Sequence, residues 1–322
     1  MTEKIGNVLL DYEFYKGQDF YSDGDIEDKI LGIVENHEPE EFNDIIAKNK
    51  DWAIMYHLSH IRRNILGSVD IGRNDKVLEI GSGCGAITGG LADKAESVTC
   101  VELSKKRSLI NANQNKHCEN VKIMVGNFQE VEPSLEEDFD IITLIGVFEY
   151  ASLYIQSERP FEEFLIQISR HLKPGGRLVI AIENKFGMKY WAGCQEDHIG
   201  GYFKGIEGYD SEDGGIRTFS KQELESIFDK TGFTDREFYY PYPDYKFPMV
   251  IYSDEVLPKL GELNINLQNF DRERLVLFNE TKVYDEIIRN NQFPFFSNSY
   301  LVILTKNVKD GNTGICKEGE NE

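Results

Sequence analysis

Short apolar runs bounded by turn residues alternate along this chain with stretches of helical spacing. Ile26-Glu27-Asp28-Lys29-Ile30-Leu31-Gly32-Ile33-Val34 has the apolar spacing of a helix, with Ser22 or Asp23 as its cap. Trp52 to Leu66 reads as a second helix that leads into a strand. From there the pattern changes to compact runs of strand length. They are Lys76-Val77-Leu78, Ser97-Val98-Thr99-Cys100-Val101, Val121-Lys122-Ile123-Met124-Val125, Phe139 to Gly146, and Arg177 to Ile182. The next helix starts only at the Ser220-Lys221-Gln222-Glu223 capping box and ends near Thr231-Gly232, which leaves 186–219 as an insertion. Asp235 to Tyr240 reads as a sixth strand and Ser299 to Leu304 as the last. Between them lies a second insertion, 241–296, with helical stretches at Asp271–Leu277 and Tyr284–Ile288. Residues 309–322 are polar and Gly-rich and are expected to be a disordered tail.

The first strand runs straight into Glu79-Ile80-Gly81-Ser82-Gly83-Cys84-Gly85, followed by the helical Ile87-Thr88-Gly89-Gly90-Leu91-Ala92. A strand that turns on alternating glycines into a helix brings backbone N–H groups against a ligand. The helix start favours a carboxylate or phosphate. Glu79 is placed to hold an amino group, and Glu102, at the end of the second strand, to accept from both hydroxyls of a ribose. The pattern implies a nucleotide-like cofactor that also carries an amino acid. Gly81-x-Gly83-x-x-Ala86 also satisfies the looser dinucleotide fingerprint. Three features favour the first reading: the acid two residues before the first glycine, the extra Gly85, and the Leu172-Lys173-Pro174-Gly175-Gly176 loop ahead of the fifth strand.

In this order the pieces resemble the class I S-adenosylmethionine (SAM)-dependent methyltransferases, well over about residues 75–185 and more weakly to about 308. The resemblance implies an α/β fold: a doubly wound, seven-stranded Rossmann-like sheet with the last strand antiparallel between the fifth and sixth. It also implies an N-terminal helical cap (1–74) and substrate-side insertions within a domain spanning 75–308. By position, Gly81, Ser82, Gly83 and Gly85 would hold the methionine end and Glu79 its amino group. Glu102 and Leu103 would hold the ribose, Asn127 and Phe128 would edge the adenine, and Ile145 and Gly146 would complete the wall. Asn127 departs from the Asp that is commonest at its position.

Composition narrows the partners. The chain has 322 residues, 40% hydrophobic, with a formal net charge of -21. Residues 1–50 alone hold 13 Asp/Glu against 5 Lys/Arg. Nucleic-acid affinity comes largely from phosphate neutralisation, and no Lys/Arg cluster appears, so no nucleic-acid partner is expected. The turn Gly83 to Thr88 does resemble that of the rRNA adenine dimethyltransferases. Their Asn-Leu-Pro-Tyr type tetrad is missing; Ile145-Gly146-Val147-Phe148-Glu149-Tyr150 stands there instead. No apolar run is long enough for a membrane span, and the N-terminus does not read as a signal peptide. Cys84, Cys100, Cys118, Cys194 and Cys316 are an odd number without CxxC spacing. This argues for a reducing, cytoplasmic setting and against a disulfide framework or zinc site. Oligomeric state is not legible.

Ligands of open α/β sheets bind beyond the carboxyl ends of the strands. That places the chemistry at Glu149 and Tyr150, at Glu183 and Asn184, and in the first insertion. There Glu196-Asp197-His198 offers a general base, His198, with Asp197 or Glu196 to orient it. The bland alternative is a solvated loop histidine. A metal role lacks a second ligand cluster, so none is expected. Tyr56, His57 and Arg62 are candidate substrate residues or else one face of a packing helix. Tyr190 and Trp191 lie in the insertion, and Arg217 suits a carboxylate or phosphate. Tyr242 and Tyr245 belong to an aromatic run, with Asp244, that suits a sugar or else covers the sheet edge. The combination of Glu183-Asn184-Lys185-Phe186-Gly187, Tyr190-Trp191, Glu196-Asp197-His198, Arg217-Thr218-Phe219-Ser220 and Tyr240 to Tyr245 resembles a methyltransferase branch that accompanies bacterial surface-polysaccharide synthesis. A small-molecule or glycan hydroxyl is the acceptor this resemblance implies. The alternatives are a small-molecule, protein or tRNA nitrogen, and a non-catalytic SAM-binding partner subunit.

Overall fold

The computed structural model describes residues 1–19, 22, 24–210, 213–265 and 272–307. One mixed sheet organises them. Its strands are β1 (Thr2–Ile5), β2 (Val8–Asp11), β3 (Lys76–Ile80), β4 (Ser97–Glu102), β5 (Val121–Val125), β6 (Phe139–Ile145), β7 (Leu172–Glu183), β8 (Asp235–Tyr242), β9 (Val250–Ser253) and β10 (Ser299–Thr305). The spatial order is β1-β2-β5-β4-β3-β6-β7-β10-β8-β9. From β2 to β7 neighbours run parallel, while β10 lies antiparallel between β7 and β8. The order reverses at β3, so the carboxyl ends of β3, β4 and β6 open a crevice there.

Among the described residues the sheet therefore has ten strands where seven were expected. The run β5-β4-β3-β6-β7-β10-β8 is extended at both edges. At one edge Gly6-Asn7 makes a two-residue turn between β1 and β2, with Ile5 opposite Val8. The opening residues, read as part of a helical cap, are thus a hairpin that covers the open edge of β5. At the other edge β9 pairs with β8.

Central strands are apolar without alternation because both faces are covered. Leu144, Leu178 and Ile180 pack on one side with Phe164 and Ile168 of the helix Pro160–His171. Val77, Ile141 and Val179 pack on the other with Ile65 and Leu66. A third cluster joins Ile30, Val34, Phe42, Ile54 and Leu58 to Cys84 and Ile110, which seats the N-terminal helices on the glycine turn.

Other boundaries also differ from expectation. The stretch Trp52–Leu66 is not one helix: it is the helix Trp52–Leu58 and a run of 3-10 turns, His60–Ser68. Ser59 between them is extended, and its hydroxyl accepts from Ile61 N at 3.3 Å. The Leu172–Gly176 loop is absorbed into β7 through a register break opposite Phe139 and Ile141. Residues 272–279 are irregular, not helical; among the described residues the helices of this insertion are Glu280–Arg289 and the short Phe293–Phe296. Asp23, Asp271 and the expected tail 309–322 lie outside the described residues.

Candidate active site

The turn after β3 and the loops after β6, β7 and β8 enclose one cleft of about 800 Å3. Its inner wall is the glycine turn. Gly81, Gly83 and Gly85 have φ of 71°, 53° and 88°, which only glycine adopts cheaply. A Cβ on each would meet different surroundings. At Gly83 it would meet no protein atom within 4 Å and would stand in the cleft. At Gly81 it would lie 2.5 Å from Val147. At Gly85 it would collide with Asn111 and Asn115, so this glycine packs the turn against the helix Lys105–Gln114 and is not part of the cleft wall.

Glu79 is buried and accepts from Thr88 Oγ1 at 2.6 Å and Cys100 Sγ at 3.4 Å. Burial outweighs these bonds and pushes its carboxyl up to about 7. Glu102 accepts from the backbone N–H of Gly83 at 2.7 Å and of Ser104 at 2.9 Å, and burial also raises it. Each carboxylate oxygen keeps a lone pair for a hydroxyl. The buried Ser82 hydroxyl has no hydrogen-bond partner and lines the cleft. Leu103, Phe128, Ile145 and Gly146 also line it. Asn127 does not: its side chain caps the short helix Phe128–Val131, accepting from Gln129 N at 3.0 Å. An orphaned hydroxyl, an open Cβ position at Gly83 and two buried acids fit a ligand with an amino-acid end and a ribose.

The opposite wall is ionic. Glu149, in the 3-10 turn Phe148–Tyr150 after β6, is fully buried, and neither carboxylate oxygen has a hydrogen-bond partner. His198 is not the free loop base expected. Its Nδ1 meets the Tyr150 hydroxyl at 2.9 Å, and its Nε2 meets Glu183 at 3.1 Å and Glu149 at 3.8 Å. Burial disfavours the imidazolium, but Glu183 and Glu149 outweigh it and lift His198 to about 9. The ring is therefore charged at neutral pH and has no lone pair for a proton. Asp197 does not hold the imidazole either. It pairs with Lys189 at 2.8 Å and Lys246 at 2.9 Å and accepts from the Tyr190 hydroxyl at 2.5 Å. Glu196 instead accepts from the backbone N–H of His198 and Ile199, each at 2.7 Å. Lys246 also pairs with Glu183, and Lys189 with Asp244 at 2.7 Å. Burial pushes the Glu183 carboxyl up, but Lys246 and His198 hold it far below the usual carboxylate range.

Ligand-capable atoms of Glu149, Glu183 and His198 lie within 4.8 Å of one another, a spacing that suits a metal ion. The Lys246 ammonium on Glu183 and the charged imidazole compete with a cation there.

Of the other expected substrate residues, Tyr56, His57, Arg62 and Tyr245 line the cleft. Tyr56 stacks on Trp52, centroids 5.6 Å apart, and Phe247 meets both rings edge-on, so three aromatics flank the mouth. Arg62 lies 4.1 Å over the Tyr56 ring and donates to the Lys246 carbonyl at 2.9 Å. The remaining four lie outside the cleft wall. Tyr190 is buried on Asp197, and Trp191 donates to the Phe186 carbonyl. Arg217 pairs with Glu223, and the Tyr242 hydroxyl donates to the Ile265 carbonyl. Lys189, Lys246, Trp52 and Phe247 were not among the expected site residues. Lys246 and Phe247 meet partners distant in sequence, so no local spacing signals them, whereas Trp52 stacks on Tyr56 one helical turn away.

Residues 78–180 match the sequence profile of a methyltransferase domain. Ribosomal RNA small subunit methyltransferase A of Borreliella afzelii (strain PKo) is 35% identical over 98 residues, 30% of this chain and 35% of the relative. Demethylmenaquinone methyltransferase of Tropheryma whipplei (strain Twist) is 28% identical over 122 residues, 38% of this chain and 47% of the relative. The chain thus spans 35% and 47% of these curated relatives. Among solved structures, Haemonchus contortus phosphoethanolamine N-methyltransferase 1, in complex with phosphoethanolamine and S-adenosylhomocysteine, is similar with a TM-score of 0.47 and 14% identity. That match covers 87% of this chain and 52% of the other. The matched domain contains the glycine turn, and SAM is its cofactor.

Proposed function

We propose that this chain, a class I SAM-dependent methyltransferase, transfers a methyl group to a hydroxyl of a small polyhydroxylated acceptor such as a sugar or polysaccharide intermediate. One observation carries this reading: a single cleft runs from the glycine turn to the unpartnered carboxylate of Glu149. Gly146 marks the junction. A Cβ there would sit 2.7 Å from the Tyr245 hydroxyl and 3.7 Å from Glu149 Oε1.

Bound SAM supplies an electrophilic methyl group on a positively charged sulfur. The unpartnered Ser82 hydroxyl would hold its carboxylate, Glu79 its amino group and Glu102 its ribose. The task left to the protein is to orient the acceptor and relieve it of a proton. The ionic wall offers alternating donors and acceptors, Lys189, Asp244, Asp197 and Lys246, to several hydroxyls at once. Trp52, Tyr56 and Phe247 offer ring faces to its C–H surface. The same rings suit a flat aromatic acceptor, which is the second reading.

An rRNA acceptor, suggested by the first relative, is opposed by the charge of -21 and by the acids within the cleft itself. The four described cysteines, buried and free, agree with a cytoplasmic setting. Calorimetry tests the cofactor: S-adenosylhomocysteine is expected to bind and NAD not. Incubation with SAM and an acceptor panel of sugars, glycan intermediates, phenols and amines is expected to add one methyl mass to a hydroxyl compound. Saturable NAD binding without a response to S-adenosylhomocysteine would sink this reading, as would transfer confined to amines.

A further inference from the structure

The acids of the ionic wall are not alike. Glu183 holds Lys246 and His198, Asp197 holds Lys189 and Lys246, and Asp244 holds Lys189. Glu196 holds two backbone N–H groups and the Tyr209 hydroxyl. Glu149 holds none of these. Its ion-pair contact is the His198 ring at 3.8 Å, and that nitrogen is already bonded to Glu183. Leaving a buried carboxylate unpaired costs several kcal/mol, so such a group takes up a proton unless a ligand completes it.

We infer that Glu149 is the group that takes the acceptor's proton, and that Lys246 is a positioning residue which keeps Glu149 free for this by holding Glu183 and Asp197. This rests on the methyltransferase reading above. In the step, the acceptor O–H bond breaks and its proton passes to a Glu149 oxygen. The acceptor oxygen's electron pair forms the new C–O bond as the carbon–sulfur bond breaks, and that bond's electrons stay on sulfur, which loses its positive charge. The products are a methyl ether, S-adenosylhomocysteine and protonated Glu149, which then returns its proton to water.

Lys246 is suited to its role at both ends. Its ammonium bridges Glu183 on β7 and Asp197 in the 186–219 segment. Its backbone carbonyl receives Arg62, which lies on Tyr56 at the cleft mouth. The groups that act on Glu149 come from three elements. Burial raises its carboxyl to about 7, against the attraction of His198, its own backbone N–H and Lys246 and with the repulsion of Glu183.

Infrared titration of the full chain with S-adenosylhomocysteine, between about pH 5 and pH 9, reads Glu149 without any acceptor. In the wild type minus Glu149→Gln difference spectrum, which subtracts the buried Glu79 carboxyl, a protonated-carboxyl C=O band is expected to vanish with a midpoint near neutrality. Lys246→Met should move the midpoint upward and Lys246→Arg should restore it. A missing band would overturn the inference for Glu149, and a midpoint unmoved in Lys246→Met would overturn it for Lys246. With an acceptor in hand, Glu149→Gln is expected to lower kcat by about 10²–10⁴ while S-adenosylhomocysteine affinity stays within about twofold. Near-normal kcat would refute the role. Stoichiometric Mg2+ or Zn2+ binding that disappears in Glu149→Gln would assign the cluster to a metal ion instead. Loss of the cofactor reading alone, with the infrared result intact, would show as absent S-adenosylhomocysteine binding.

Discussion

Gly83→Val separates two roles that the three turn glycines share in sequence. Its side chain would project into the cleft, so calorimetry should show S-adenosylhomocysteine binding abolished. Gly85→Ala should behave differently, because its Cβ would strike Asn111 and Asn115. It should lower thermal stability, and the surviving folded fraction should still bind. Glu149 makes a prediction about pH. Its carboxyl holds a proton more tightly in the fold, at about 7, than at its ordinary 4.5. That contribution to stability is full below about pH 4.5 and is lost as pH rises through about 7. Its size is on the order of 3 kcal/mol. Glu149→Gln removes this loss, so its urea-measured stability should fall less than that of the wild type between pH 5 and pH 8.5. A parallel pH dependence in both proteins would contradict it. Residue types alone had marked Glu149 and His198 as candidates. Which of them is free to accept a proton depends on Glu183, Tyr150 and Lys246, and those distances are tertiary.

Elements bounded by local chemistry were legible. The helix Lys221–Thr231 starts at the Ser220–Glu223 capping box and stops at Gly232 in the left-handed conformation, as its sequence dictates. Ser220→Ala should cost about 1 kcal/mol in urea unfolding, since the hydroxyl satisfies Glu223 N at the helix start. No loss would mean that Glu223 alone sustains the start, through its bond to Ser220 N. The strands β3 to β7 were legible for a similar reason: apolar runs between turn residues need two covered faces, and helices supply them. Elements that depend on distant pairing were not. β1, β2 and β9 are four-residue strands with exposed positions, and only their neighbours make them strands. Arg272 to Leu277 has helical composition, yet Leu275 N is tied to the Gly193 carbonyl at 2.8 Å and Arg272 to the Glu196 carbonyl. Those bonds draw the segment out along the 186–219 insertion.

At the scale of the whole molecule, charge governs encounter. A net charge of -21 repels a polyanion before any groove is reached. Filter binding at physiological salt should retain no rRNA or tRNA fragment, and sub-micromolar, salt-sensitive retention would revive an RNA acceptor. A neutral acceptor escapes this repulsion, so its transfer rate should respond weakly to ionic strength. The hairpin at the sheet edge bears on assembly in time. Leu9 of β2 sits opposite Lys122 of β5, and the backbone carbonyl of Lys116 receives Asn7 N at 2.8 Å. A ribosome delivers residues 1–11 well before residues 121–125, so their binding place does not exist until β5 has emerged. During synthesis the hairpin must wait without its partner strand while β3, β4 and β5 line up. It then closes that edge of β5, a latch over a flank that would otherwise invite another nascent chain.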